Sequence, residues 1–237
     1  MPHCSDGVMT RRARRASLSG MRHSLLALLA LPLAACASDR PSRADFVDFA
    51  ELAPGAVIEA RYATTENFVG ARIDGYEARK CLLTREAGEA LAKVERDLEQ
   101  EGARLRIFDC YRPQRAVDHF VRWSEDPADV KNKARYYPNV PKAELFERGY
   151  IARKSGHSRG STIDLTIDGL DMGGGWDLLG PLSHTMNEEV SAEAHANRLR
   201  LKAAMEKRGF VNYDKEWWHY TLAGEPYPDV YFDFPVK

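Results

Sequence analysis

Two polar segments, far apart in the chain, set the strongest constraint on its fold. They are Ser155-Gly156-His157-Ser158-Arg159-Gly160-Ser161-Thr162-Ile163-Asp164 and Glu216-Trp217-Trp218-His219. Together they offer two imidazoles, one carboxylate that can ligate a metal and one spare carboxylate. A catalytic zinc needs three protein ligands and an open fourth position for water, with a base beside that water. His157, Asp164 and His219 can fill the ligand roles and Glu216 the base role, provided the fold brings the two segments together. Gly156 and Gly160 let the chain turn between His157 and a strand bearing Asp164. On spacing alone a bland reading stands equally: Asp164, between Ile163 and Leu165, can be a buried carboxylate satisfied by backbone donors, and Glu216 can cap a turn. His3, His23, His119, His184 and His195 read as structural or exposed.

Periodicity fills in the scaffold. Val57 to Tyr62 reads as a first strand and Asn67 to Gly75 as a loop. Thr84 can cap a helix running to about Gln100, with Ala87, Leu91, Val94 and Leu98 on one face and Gly102 ending it. Leu105 to Phe108 reads as a buried strand, and Pro113 opens a second helix with Val117, Phe120 and Val121 apolar. Asp126 to Lys142 is a polar, proline-containing loop. Thr162 to Ile167 alternates like a strand, and Gly173 to Gly175 marks a turn. Glu193 to Arg208 is a third helix stopped by Gly209; Trp217 to Leu222 and Val230 to Phe234 are late strands. Helices and strands come mixed, without a βαβ rhythm, which predicts an α+β fold with a central antiparallel sheet and flanking helices.

The N-terminus reads as an export signal. Arg22 and His23 precede an apolar run from Leu25 to Leu33. That run is too short for a bilayer span, which takes about 20 residues, but it has the shape of a secretory signal. It ends in Leu33-Ala34-Ala35-Cys36, which resembles a bacterial lipobox and predicts lipidation at Cys36; the alternative is a plain signal peptide with a chance cysteine. Met21 is a second candidate start. Residues 1–36 are thus read as signal, 37–50 as a tether and 51–237 as the folded domain. That places the protein outside the cytoplasm, anchored to a membrane and facing the periplasm; in a Gram-negative cell, Ala37 after the cysteine favours the outer membrane. Only Cys81 and Cys110 then remain in the folded part, and two cysteines in an oxidising compartment suggest one disulfide, against two buried thiols. The net charge of −1 argues against a nucleic-acid partner.

The first segment is similar to the S-x-H-x-x-G-x-A-x-D signature of the zinc D-alanyl-D-alanine dipeptidases, and the second to their E-x-x-H. Asp109-Cys110-Tyr111-Arg112-Pro113 is like their D-G-Y-R-P element, and Gly75-Tyr76-Glu77 and Lys80-Cys81-Leu82-Leu83 resemble the exported branch of that family. Thr162 stands where the pattern has alanine and Cys110 where it often has glycine. The resemblance implies a fold shared with zinc D,D-carboxypeptidases and the hedgehog signalling domain. It implies one Zn2+ per chain on His157, Asp164 and His219, with Glu216 as general base and Arg112 stabilising the oxyanion. A structural ion pair with Asp109 is the other role open to Arg112. Asp177 resembles a family aspartate that faces the substrate amine, with Asp168 and Asp171 as rivals, and Ser155 either donates to the substrate carboxylate or holds the loop presenting His157.

These implications define a dipeptidase whose partner is a small dipeptide, serving turnover of wall-derived D-Ala-D-Ala. The runner-up is a D,D-carboxypeptidase trimming longer wall peptides with the same zinc site, which would need an open groove. A non-catalytic binding lipoprotein is a third possibility, disfavoured by an intact Glu216 and Arg112.

Overall fold

The computed structural model describes residues 40–237. The signal, the lipobox with Cys36 and the first residues of the expected tether lie outside them. Among the described residues, no helix is long and apolar enough to cross a membrane.

The order of elements is β1 (Phe46–Asp48), α1 (Phe49–Leu52), β2 (Val57–Ile58), β3 (Leu82–Thr84), α2 (Arg85–Glu99), β4 (Leu105–Asp109), α3 (Gln114–Glu125), α4 (Lys133–Tyr136), β5 (Thr162–Ile167), α5 (Ala192–Glu206), β6 (Phe210–Asn212) and β7 (His219–Leu222), with short 3-10 turns between. Five strands form one sheet in the order β2-β4-β5-β7-β6, and β1 pairs with β3 in a separate two-stranded sheet. All pairings are antiparallel except β2 with β4, which is parallel. The α+β expectation holds, with one parallel pair at the sheet edge.

β5 lies at the centre of the five-stranded sheet and all six of its residues are buried. Ile163, Leu165 and Ile167 anchor the core from one face, and burial of each such side chain is worth roughly 1.5–3 kcal/mol. The face bearing Thr162, Asp164 and Thr166 is buried as well, so polar groups there need partners. α2 forms as the sequence predicts. Thr84 Oγ1 accepts from the Ala87 N–H at 3.4 Å, the apolar stripe of Ala87, Leu91, Val94 and Leu98 is buried, and Gly102 follows in the left-handed conformation. α3 begins after Pro113.

Several boundaries differ from expectation. The segment 37–50, expected as a tether, has entered the fold by Phe46: Phe46 and Phe49 are core residues and Phe46–Asp48 is paired to β3. The strand over Val57 to Tyr62 stops at Ile58 and passes into a 3-10 turn at Arg61–Ala63. The polar loop after α3 includes α4. The strand at Trp217 begins at His219, and β6 is an additional edge strand. Val230 to Phe234 does not pair. Its Phe232 and Phe234 instead pack edge-on against Phe46, while Val236 alone bridges to Tyr76.

Cys81 and Cys110 form a disulfide with Cα atoms 5.2 Å apart, closing a span of 29 residues. In the chain-entropy picture such a closure stabilises by about 3–4 kcal/mol. It ties the start of β3 to the end of β4, and so joins the small sheet to the large one.

Candidate active site

His157 sits on a 3-10 turn, Gly156–Arg159, between the polar loop and β5. The Ser155 hydroxyl caps this turn, accepting from the His157 N–H at 3.3 Å. Gly160 closes it with φ +84°, and a Cβ there would meet Phe46 Cε1 at 2.3 Å, so backbone conformation and packing both require glycine. The turn aims His157 at the sheet. Its Nδ1–H donates to the Cys110 carbonyl at 2.7 Å, which leaves the Nε2 lone pair facing the site.

The two segments meet through strand register. Asp164 on β5 lies directly opposite His219 on β7. Asp164 Oδ1 is 3.2 Å from His157 Nε2 and 3.1 Å from His219 Nδ1, and the two ring nitrogens are 3.3 Å apart. Ligands bound tetrahedrally at about 2.0–2.1 Å lie roughly 3.3–3.4 Å from one another. The triangle therefore matches a small metal ion. Among the described residues, Asp164 Oδ1 is a buried oxygen with no hydrogen-bond partner, an expense that a metal ligand would explain. Asp164 Oδ2 accepts from Trp176 Nε1 at 3.3 Å, an outer contact that orients the carboxylate. Among the described residues, these three are the one set of His, Cys, Asp or Glu side chains grouped for a metal.

Electrostatics suit the same roles. Burial works against the Asp164 anion, but His157 and then His219 outweigh it and hold the carboxyl well below its usual range. Burial lowers the His219 pKa, which favours the neutral imidazole a metal binds. Glu216 Oε2 lies 3.4 Å from His219 Nδ1. Burial, reinforced by the charges of Asp164 and Asp177, raises its pKa well above the ordinary carboxylate value.

Arg112 makes the ion pair with Asp109 and also faces the cavity. Its Nε and Nη2 reach Asp109 Oδ2 at 3.0 and 2.9 Å, and Tyr76 donates to the other Asp109 oxygen at 2.5 Å. The guanidinium also lies over the rings of Tyr62 and Phe120 at 5.0 and 5.1 Å and lines the cavity above the ligands. The ion pair thus orients a cation that faces the site.

That cavity holds about 220 Å³ and is bounded by Arg112, Asp177, Glu216, His219, Tyr62 and Tyr150 among others. Drug-sized ligands occupy pockets of roughly 300–1,000 Å³, so this one suits a smaller molecule. Of the three candidate acids, Asp177 lines it; Asp168 is held outside by Arg104 and Arg106 at 2.8 and 2.6 Å, and Asp171 accepts from the Gly173 N–H. Asp177 has φ +60° and accepts from the Tyr62 hydroxyl at 2.7 Å. Burial, then the charge of Asp164, pushes its pKa well up. Ser155 also borders the cavity while capping the His157 turn. Sequence reasoning passes over Tyr62, Phe120, Tyr150 and Trp176. They come from scattered loops and helices and share no local pattern, although the aromatic residues near Arg61 and Asp177 were visible.

The family profile described as D-ala-D-ala dipeptidase matches residues 42–237. The chain is 48% identical over 198 residues to the D-alanyl-D-alanine dipeptidase of Streptomyces coelicolor, covering 81% of this chain and 98% of the relative. It is 44% identical over 193 residues to that of Enterococcus faecium, covering 79% and 96%, and 42% identical over 198 residues to that of Enterococcus faecalis, covering 81% and 98%. Similarity of this extent, running through both segments that build the ligand triangle, makes the chain a member of the D-Ala-D-Ala dipeptidase family.

Proposed function

We propose that the protein is a zinc metallopeptidase that hydrolyses D-alanyl-D-alanine to two D-alanines. One observation favours it above all: Asp177, Glu216 and the three-ligand triangle face one small cavity. A peptidase for a free dipeptide must accept an ammonium as well as cut an amide, and Asp177 offers the carboxylate for it. A carboxypeptidase for long wall peptides would need an open groove with no acid at that end.

His157, Asp164 and His219 would hold one zinc ion per chain, whose Lewis acidity polarises the scissile carbonyl and makes water acidic enough to attack. Glu216 takes the proton of the attacking water and returns it to the leaving amine. Its raised pKa suits it to carry that proton between the two steps. Arg112, fixed by Asp109, places its charge where negative charge builds on the carbonyl oxygen, and preorganised charge of this kind is often the largest catalytic contribution. Asp177 pairs with the substrate ammonium, and Tyr62 keeps that carboxylate pointed at the cavity.

The location follows from residues outside the structure. The Leu33-Ala34-Ala35-Cys36 sequence supports export and lipidation at Cys36, with the enzyme facing the periplasm and acting on wall-derived dipeptide. The Cys81–Cys110 disulfide is consistent with an oxidising compartment.

D-Alanine release from D-Ala-D-Ala and, in parallel, from an N-acetylated peptide ending in D-Ala-D-Ala tests the activity. Cleavage of the free dipeptide alone is expected; preference for the blocked peptide would replace the reading with carboxypeptidase. Active protein found only in the cytosol after fractionation would remove the anchor and the wall role.

A further inference from the structure

The carbonyl that orients His157 belongs to a half-cystine. Cys110 follows β4, outside the ladder of the large sheet. Its oxygen accepts the His157 Nδ1–H at 2.7 Å. Its neighbours are tied to the same surroundings: Tyr111 N–H donates to the Leu82 carbonyl at 2.9 Å, and Arg112 N–H to the His157 carbonyl at 3.3 Å. Cys110 itself is anchored through sulfur to Cys81, whose own carbonyl accepts from Phe49 N–H at 2.8 Å. Both half-cystines are buried and neither lines the cavity, so the bond reaches the site only through the Cys110 carbonyl and His157.

We propose that the Cys81–Cys110 disulfide is a positioning element of the metal site, holding the Cys110 carbonyl against His157 Nδ1 so that zinc binds tightly only while the bond is closed. The inference rests on the zinc reading above. Two bonded sulfurs sit closer than two thiols in van der Waals contact, so opening the bond forces Cys81 and Cys110 apart in a packed interior. Cys110 is the one whose movement reaches a ligand. The hydrogen bond to Nδ1 fixes the tautomer and plane of the His157 ring, and outer contacts of this kind set metal affinity by about 10–100-fold. Arg112 is two residues further on, so its approach to the cavity slackens with the same shift. The protein is accordingly weak in metal while its cysteines are thiols and becomes competent on oxidation. Opening the bond takes two electrons and two protons. A phosphine reductant supplies the electrons, and water supplies the protons and the oxygen of the phosphine oxide formed.

The experiment measures zinc affinity by competition with a chromophoric chelator for three forms of the full protein, with disulfide status verified by thiol titration. These are the oxidised wild type, the wild type reduced with tris(2-carboxyethyl)phosphine and desalted under nitrogen, and the double variant Cys81→Val/Cys110→Ala. The variant refills the buried space and removes thiols that could bind zinc themselves. Leu98→Ala, a core change in α2, serves as a control that lowers stability without touching the site. Circular dichroism fixes a temperature at which all forms are folded. The expected result is an affinity about tenfold or more weaker in the reduced protein and in the double variant, with Leu98→Ala unchanged. Equal affinity in the oxidised protein and the double variant overturns the proposal, as does an equal loss in Leu98→Ala. Failure of the oxidised wild type to bind zinc at all overturns the metal reading first, and the inference with it.

Discussion

The Tyr62 hydroxyl donates to Asp177 Oδ2 at 2.7 Å across a buried wall of the cavity. This bond favours the ionised form of a carboxyl that burial and Asp164 push toward protonation. Tyr62→Phe removes it while keeping the ring against Phe120 and Trp176. A hydrogen bond to a charged group is worth about 1.5–3 kcal/mol, so kcat/KM for D-Ala-D-Ala is expected to fall roughly 10–100-fold, mainly through KM. Steady-state kinetics checks it; a change confined to kcat would place Asp177 outside the ammonium site.

Glu216→Gln keeps the size of the side chain and removes the carboxylate proposed as base. The expected loss in kcat is about 10²–10⁴-fold. Zinc content, measured by metal analysis, should stay at the wild-type level, since Glu216 is 3.4 Å from His219 Nδ1 but is not one of the three grouped ligands. Loss of the metal together with the activity would show that Glu216 is a ligand instead.

Acid should weaken the sheet edge where β2 meets β4. Glu59 and Asp168 both touch Arg106. Burial opposes ionisation of each, but Arg106 and Arg61 outweigh it at Glu59, and Arg104 and Arg106 at Asp168, so both pKa values are lowered. A lowered carboxyl pKa contributes stability that is fully present above the unfolded value, about pH 4, and is lost as pH falls through the folded value. The groups are partly exposed, so each pair is worth no more than about 1 kcal/mol. Arg106→Met should flatten the acid limb of stability below about pH 4, read from urea midpoints. An unaltered limb would mean that other carboxylates govern it.

Arg198 on α5 is fully buried, and no carboxylate is among its hydrogen-bond partners. It donates to the carbonyls of Met172, His184 and Leu182 at 2.7, 2.8 and 3.0 Å, bracketing the loop that bears Trp176 and Asp177. Burial pushes its pKa down to about 10, so it stays charged at neutral pH. Arg198→Met removes the desolvation cost of the cation but orphans carbonyls at both ends of the loop, each worth about 1–3 kcal/mol. A net loss of about 2 kcal/mol is expected, lowering Tm by roughly 4–8 °C, together with a raised KM. A variant as stable as the wild type would show that water satisfies those carbonyls.

The sequence made local chemistry visible and long-range pairing much less so. Thr84 before an apolar stripe announces α2, and Thr162–Ile167 announces β5, because a cap and a period are written in adjacent residues. The ligand set was legible as two segments with a familiar spacing. Their meeting depends on β5 pairing with β7, which no local signal encodes. Phe46 reads as part of a tether because its strand partner, Thr84, lies far along the chain. Phe232 and Phe234 have strand-like composition, yet edge-on packing with Phe46 uses them outside any ladder. Asp168, Asp171 and Asp177 are equivalent as letters. What separates them is a left-handed turn at Asp177 and arginines arriving from β4 and its approach at Asp168.

The pairing of Asp164 with His219 has a consequence for how the chain finds its fold. Side chains alternate faces along a strand, so sliding β7 by one residue against β5 would turn Ile163 or Tyr220 toward the ligand face and send a ligand into the apolar core. A slipped sheet could not assemble three donors around one ion. An ion held by these three residues would therefore favour the native register of β5 and β7 over its neighbours, so metal binding and correct strand alignment would be linked.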